Sequence, residues 1–261
     1  MMRIERTLIG MVHLQPLPGS PRWEGSLERV TAAALADARA LVDGGVDALL
    51  VENYGDAPFT AGRVEPAPVA AMAVVAAEIR RAFPRALLGV NVLKNDARAA
   101  LAVAAAVGGR FIRVNVHAGA VVADQGLVQT DAYHTLRDRR LLGADVAIFA
   151  DVGGKHALPL VPVELEQTAR DLVHRGLADA LVVSGRATGE TTPLAEVKRV
   201  RGAVPDVPLL VGSGVTSETA AELLSVADGL IVGTYVKRDG DVRKPVDPAR
   251  VEKLVAAARR R

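Results

Sequence analysis

The chain has no cysteine in its 261 residues. That excludes disulfides, zinc–thiolate sites and thiol catalysis. Aromatic residues make up only 3%. Val, Leu, Ile and Ala must therefore fill the core, and no basic aromatic surface of the kind that stacks on nucleic acid is present. Neither sign of charge dominates: 32 Lys and Arg against 30 Asp and Glu leave a formal net charge of +2, although the sequence pI is 9.1. Such a balance gives no reason to expect a nucleic-acid partner. No apolar run is long enough to span a membrane. The opening MMRIERTLIGMVHL lacks the long apolar stretch of a signal peptide. No linker or low-complexity tract divides the chain, so residues 1–261 are expected to form one cytoplasmic domain with no integral membrane segment.

Half of the residues are hydrophobic, ample for a large core. Short apolar runs suited to strands occur at residues 7–12, 48–51, 87–92, 111–116, 146–150, 180–183, 208–211 and 229–232. Helical stretches follow at residues 27–42, 67–83, 97–107, 133–142, 162–175, 193–200, 217–225 and 248–259. Strands without polar alternation are those covered on both faces. Eight such units alternating with eight helices predict an α/β fold, a single (β/α)8 TIM barrel, which typically takes about 250 residues. The rival is an open doubly wound sheet. No GxGxxG follows the first strand, which weakens its dinucleotide-binding version.

Polar residues gather where the strands end: His13, Glu52, Asn91, Lys94, Asn115, His117, Asp151, Lys155, His156, Ser184, Ser213, Thr234 and Lys237. In a barrel these positions line the active-site mouth. Glu52, His117, Asp151, Lys155 and His156 supply acids, bases and a cation, and are the expected catalytic groups. His13, Asn91, Lys94, Asn115 and Ser184 are expected to hold substrate. Residues 184–192, SGRATGETT, read as a polar flap in which Thr188 and Gly189 also meet the substrate. An ordinary exposed loop would have the same composition.

Two late strands run into glycine, at Gly212-Ser213-Gly214 and at Gly233-Thr234. Neighbouring parallel strands ending this way can aim backbone N–H groups at one anion, with the following helix adding its positive end. These five residues are the expected phosphate site, the usual one after strands seven and eight of a barrel. Alternation along the fourth strand puts Arg113 and Asn115 on one face, where a buried polar layer is the other reading. His13, Glu52, His117 and His156 would admit a divalent metal on the axis, though no HxH or HExxH spacing supports a metal site and no cofactor is assigned. His134 and His174 fall within helices and read as structural or solvated. Asp37, Arg39, Glu78, Arg80 and Arg81 read as solvated outer helix faces.

The order GVNVLKNDA, FIRVNVHAG, ADVGGKHALPL, ADALVVSGRATGETT, PLLVGSGVT and ADGLIVGTYVKRDG resembles the BtpA/SgcQ family. MVHLQPLPGSP and VENYGDAPF fit it as well, so the resemblance covers nearly the whole chain. Gly153-Gly154 before Lys155-His156 departs from the bulkier residues of the family pattern. The resemblance implies a TIM barrel of the ribulose-phosphate-binding type. The family is named for a cyanobacterial factor needed for photosystem I accumulation, and relatives in non-photosynthetic organisms imply a more general chemistry. Two classes of function follow. One is an enzyme using acid/base chemistry on a small phosphorylated metabolite, a sugar phosphate or nucleotide, by lyase, isomerase or glycosyl-transfer chemistry. The other is a non-enzymatic assembly or stability factor. Barrels of this type often self-associate, so a homo-oligomer is expected.

Overall fold

A computed structural model describes residues 4–154, 156–185 and 190–259. Eight parallel strands close into a barrel: β1 (Thr7–His13), β2 (Ala48–Glu52), β3 (Leu87–Asn91), β4 (Phe111–Val114), β7 (Ala147–Val152), β9 (Ala180–Ser184), β10 (Leu209–Gly212) and β11 (Gly229–Val232). They are neighbours in chain order, and β11 pairs with β1 to shut the ring. Helices α1 (Leu27–Asp43), α2 (Pro66–Ala82), α3 (Ala97–Ala106), α4 (Ala132–Leu141), α5 (Leu165–His174), α6 (Leu194–Ala203), α7 (Ala220–Leu223) and α8 (Pro248–Arg259) follow the barrel strands in turn. The expected TIM barrel is the observed fold.

Strand alternation divides the core in two. Ile9, Met11, Leu50, Phe111, Phe149 and Ile231 fill the barrel interior, while outward residues such as Leu8, Leu49, Val90 and Ile112 meet the helices. The Phe111 and Phe149 rings stack at 4.6 Å. Gly89 makes room for them, since a Cβ there would lie 2.2 Å from the Phe111 ring.

The N-terminal face is pinned by a repeated device. Asp47, Asp179 and Asp228 stand just before β2, β9 and β11, and accept the backbone N–H of Leu8, Ile148 and Leu209 at 2.7, 2.8 and 2.8 Å. Arg259, Arg139 and Arg201 neutralise them in turn. The sequence carries the device as VDAL, ADAL and ADGL. Arg80 is also a brace rather than a solvated face, donating to carbonyls of Val107, Pro84, Ala86 and Gly108.

The structure revises several element boundaries. The insert after β4 is a hairpin, β5 (Ala120–Ala123) with β6 (Gly126–Gln129), and β8 (Ala157–Pro159) joins it as a separate three-stranded sheet. Helix α5 starts at Leu165, three residues later than expected. A proline at 162 and the apolar, exposed residues around it follow the small sheet instead. Helix α7 is one four-residue turn that begins six positions after Gly214, so no helix N-terminus stands directly behind the glycine pair.

Candidate active site

At the C-terminal end of the barrel lies a cavity of about 860 Å³, bounded by residues of β1, β2, β4 and β11, the loops after β1, β2, β3 and β10, the middle of α1 and the segment after β11. Loops converge here because β-strand C-termini hand the chain to crossovers on one face. Of the expected site residues, His13, Glu52, Lys94, Asn115, His156, Ser213, Gly214, Gly233 and Thr234 line this space.

The cavity floor is a polar layer across the barrel. Arg113 donates from Nε and a terminal nitrogen to the two oxygens of Asp151 at 2.8 and 2.9 Å, and to the Ser184 hydroxyl at 3.2 Å. Burial alone would push the guanidinium pKa down, but the Asp151 charge and hydrogen bonds outweigh it and hold Arg113 charged. Asn115 donates to the same carboxylate at 2.9 Å. That bond fixes the amide orientation and leaves the Asn115 Oδ1 buried with no hydrogen-bond partner among the described residues. Gly212 completes the floor: a Cβ would crowd the Ser184 hydroxyl at 3.2 Å. Asp151 and Ser184 thus brace Arg113 and do not line the cavity. An unpaired buried acceptor is costly, so the Asn115 Oδ1 is suited to meeting a ligand donor.

Glu52 ends β2 and forms part of the wall. Asn91 donates to it at 2.7 Å, and the His13 Nε2 lies 3.7 Å from its other oxygen. Asn91 is 1% exposed and positions Glu52 from behind. His13 also packs against Tyr54, ring centroids 4.9 Å apart. Gly233 lets the His13 ring approach, since a Cβ would stand 2.7 Å from it. Burial, reinforced by the Glu52 charge, raises the Tyr54 hydroxyl pKa.

Lys94 follows β3, in a loop held at each position. Asn53 accepts the Leu93 N–H at 2.7 Å, and the carbonyl of Thr60 accepts that of Lys94 at 3.4 Å. Asn95 bonds the backbone of Val116 and Gln129. Asp96 caps α3 and binds the Val64 N–H. Lys94 is 7% exposed, and burial lowers its pKa although Asp151, Asp124 and Glu52 pull it upward.

The described residues correct two expectations. His117 does not rise into the mouth. Its Nε2 donates to the Gly176 carbonyl at 2.8 Å, just past α5, and burial lowers its pKa. The proposed metal set therefore does not converge, and no group of three or more His, Asp or Glu able to hold a metal exists among the described residues. Gly214 has φ +63, and a Cβ there would lie 2.3 Å from the Glu190 carbonyl oxygen. Its small size lets residues 190–191 pass, and Thr192 ties that segment to the Gly212 carbonyl at 3.1 Å. Lys155, Arg186, Thr188 and Gly189 lie outside the described residues.

The sequence reading missed the far wall. Asp37 is buried, not solvated: it pairs with the 1% exposed Lys237 and accepts the Val246 N–H at 2.7 Å. This pair clamps residues 237–246 to α1. Arg243 and Lys244 on that segment, ion-paired with Asp241 and Asp239, line the cavity wall with Arg22 and Arg250. The signal was present in TYVKRDGDVRKP, which is rich in cations beside an apolar strand.

Comparison with known proteins fits this architecture. A phosphoribosyl anthranilate isomerase from Thermus thermophilus superposes with a TM-score of 0.59 at 14% identity, covering 96% of this chain and 97% of that one. The photosystem I biogenesis protein BtpA of Synechocystis is 44% identical over 250 residues, 96% of this chain and 87% of the relative. The putative sgc region protein SgcQ of Escherichia coli is 35% identical over 254 residues, 96% of this chain and 93% of the relative. The BtpA family profile matches residues 4–260, and with these relatives at such coverage the chain belongs to the BtpA family.

Proposed function

We propose that the protein is an enzyme that binds a small phosphorylated metabolite, a sugar phosphate or nucleotide, in the cavity at the C-terminal barrel face. The observation that carries this reading is the lining of the cavity. One wall holds the carboxylate of Glu52 and the buried amine of Lys94, the floor presents the Asn115 Oδ1, and the remaining walls carry Arg22, Arg243, Lys244 and Arg250 around Ser213, Gly233 and Thr234. Cations over a concave, partly apolar space favour an anionic ligand. An anion held near strands β10 and β11 leaves the rest of a small substrate over Glu52, whose carboxylate moves the proton. Fixing one end of the substrate orients its reacting atoms.

Calorimetry with inorganic phosphate tests this. The wild type should bind, and Thr234→Glu, which sets a negative charge in the wall, should weaken binding by about tenfold or more through like-charge repulsion. Equal affinity in both would reject the anion site. Self-association belongs to the same reading. It is supported by exposed apolar Val122, Leu127, Leu158, Leu160, Val161 and Val163 in and after the small sheet. A monomer in light scattering at micromolar concentration would remove it.

A second reading is an assembly factor, favoured by the name of the Synechocystis relative. Glu52→Gln separates the two, because an assembly role has no need of a proton-moving carboxylate.

A further inference from the structure

The cations that line the cavity are held in different ways. Lys237 pairs with Asp37, Arg243 with Asp241 and Lys244 with Asp239. Arg113 is bound to both oxygens of Asp151. Each of these charges already faces a carboxylate. Arg250, in the first turn of α8, has no ion pair among the described residues. Asp239 feels its charge, but the Lys244 hydrogen bond comes first in lowering the Asp239 pKa and engages that carboxylate at 2.7 Å.

Arg250 is fixed at one edge only. Its Nε donates to the Tyr235 carbonyl at 2.6 Å, and the guanidinium lies over the Tyr235 ring, 4.8 Å from the centroid. Tyr235 is itself tied down, its hydroxyl 2.6 Å from that of Ser217 in the loop after β10. Neither terminal nitrogen of Arg250 donates to a described residue. The arginines that brace this barrel differ. Arg80 donates from Nε and both terminal nitrogens to carbonyls. Arg201 likewise engages all three nitrogens, with three carbonyls and Asp228. At Gly240 a Cβ would stand 3.7 Å from the Arg250 Nη2, so a longer side chain there would cover the end of the fork. Tyr235, Gly240 and Arg250 all line the cavity. The result is a planar cation held by its inner edge and one face, with its outer edge unspent.

We propose that Arg250 is the residue that binds the phosphate group of the ligand, its two terminal nitrogens donating in parallel to two phosphate oxygens. This rests on the reading of the cavity as a site for a phosphorylated metabolite, and assigns the cation that holds the phosphate. Parallel N–H bonds from a guanidinium match the spacing of two oxygens on one phosphate, and charge-assisted pairs of this kind are stronger than neutral hydrogen bonds. The fork is already oriented by Tyr235, so little side-chain freedom is lost on binding. Tyr235 follows Thr234 in the short turn Thr234–Val236, which places Arg250 beside the end of β11, where the anion is expected. The paired cations are poorer anchors. A phosphate that reached Lys237 would meet the buried Asp37 carboxylate as well, and like charges repel.

The test is calorimetry with inorganic phosphate on the wild type, Arg250→Gln, Arg250→Lys and Lys198→Gln. Lys198 is exposed on α6 and lies outside the cavity lining. We expect Arg250→Gln to weaken binding by about tenfold or more. Arg250→Lys should restore only part of the affinity, because a point charge cannot form the paired bonds. Lys198→Gln should bind as the wild type does. Unchanged affinity in Arg250→Gln overturns the proposal and leaves the phosphate site standing. An equal loss in Arg250→Gln and Lys198→Gln also overturns it, as a general effect of charge. No binding by the wild type rejects the reading of the cavity, and the proposal with it. A second measurement uses the unaltered chain, so misfolding of a variant does not obscure the result. Phenylglyoxal modifies arginine side chains, and peptide mass mapping follows each one. Phosphate at about ten times its Kd should slow the modification of Arg250 roughly tenfold, and leave exposed Arg85 unaffected. Modification of Arg250 at one rate with and without bound phosphate overturns the proposal.

Discussion

Glu52 and Asp151 look equivalent in the sequence, each a carboxylate at the end of a barrel strand. Their neighbours make them different. Asp151 is the partner of a buried guanidinium, so its removal leaves an uncompensated charge. Asp151→Asn should cost about 3–5 kcal/mol of stability, read from denaturant unfolding. Glu52→Gln keeps its hydrogen bond from Asn91 only if the amide turns its oxygen inward, and should leave the melting temperature within a few degrees. If Asp151→Asn unfolds like the wild type, the floor is not the brace described. His117 supplies a pH test. Its pKa lies below the ordinary 6.5 because of burial, so the unfolded chain takes up the proton more readily than the folded one. The stability this contributes is present above pH 6.5 and is lost as the pH falls through the folded value. His117→Gln, which can still donate to the Gly176 carbonyl, should flatten the fall in melting temperature below pH 6.5. An unchanged slope would contradict the buried neutral imidazole. These distinctions were not legible in the sequence, because they depend on which partner each polar group meets across the barrel. The alternation of Arg113 and Asn115 on one face was legible, since period two needs no tertiary knowledge.

At the scale of elements, the eight barrel strands could be read directly, as continuous runs of Val, Ile and Leu between Gly and Pro turns. The structure moved most of their ends by one or two residues. The hairpin β5–β6 and strand β8 could not be read, because their strands are three or four residues long and partly exposed, and β8 pairs with β5 across the chain, Ala157 with Ala123 and Pro159 with Val121. The short α7 was overestimated for a related reason: an Ala-rich run has helical propensity, but only one turn of it packs. Where the sequence shows glycine without a turn, packing decides. Gly89 in β3 accommodates the Phe111 ring. Gly89→Ala should cost about 1–3 kcal/mol as the stacked Phe111 and Phe149 are displaced, seen as a lower denaturant midpoint with an unchanged slope. A neutral result would mean that the interior yields more easily than the 2.2 Å approach implies.

The molecule as a whole has a nearly balanced formal charge of +2, while its cavity wall gathers Arg22, Lys94, Arg243, Lys244 and Arg250 beside Glu24, Asp37 and Glu52. Net charge therefore said little about the ligand, and the distribution says more. The gathering of polar residues at one face was readable from strand order alone, because every strand points the same way. The extension of the cavity over α1 was not, since it depends on the buried Asp37–Lys237 pair. The central claim is that this space receives an anionic metabolite. A crystal structure determined with inorganic phosphate present tests it most directly. We predict a tetrahedral anion inside the cavity, against Ser213, Gly233 and Thr234 and within reach of the arginines that line it. Phosphate bound only at the outer surface, with the cavity holding solvent alone, would contradict the account.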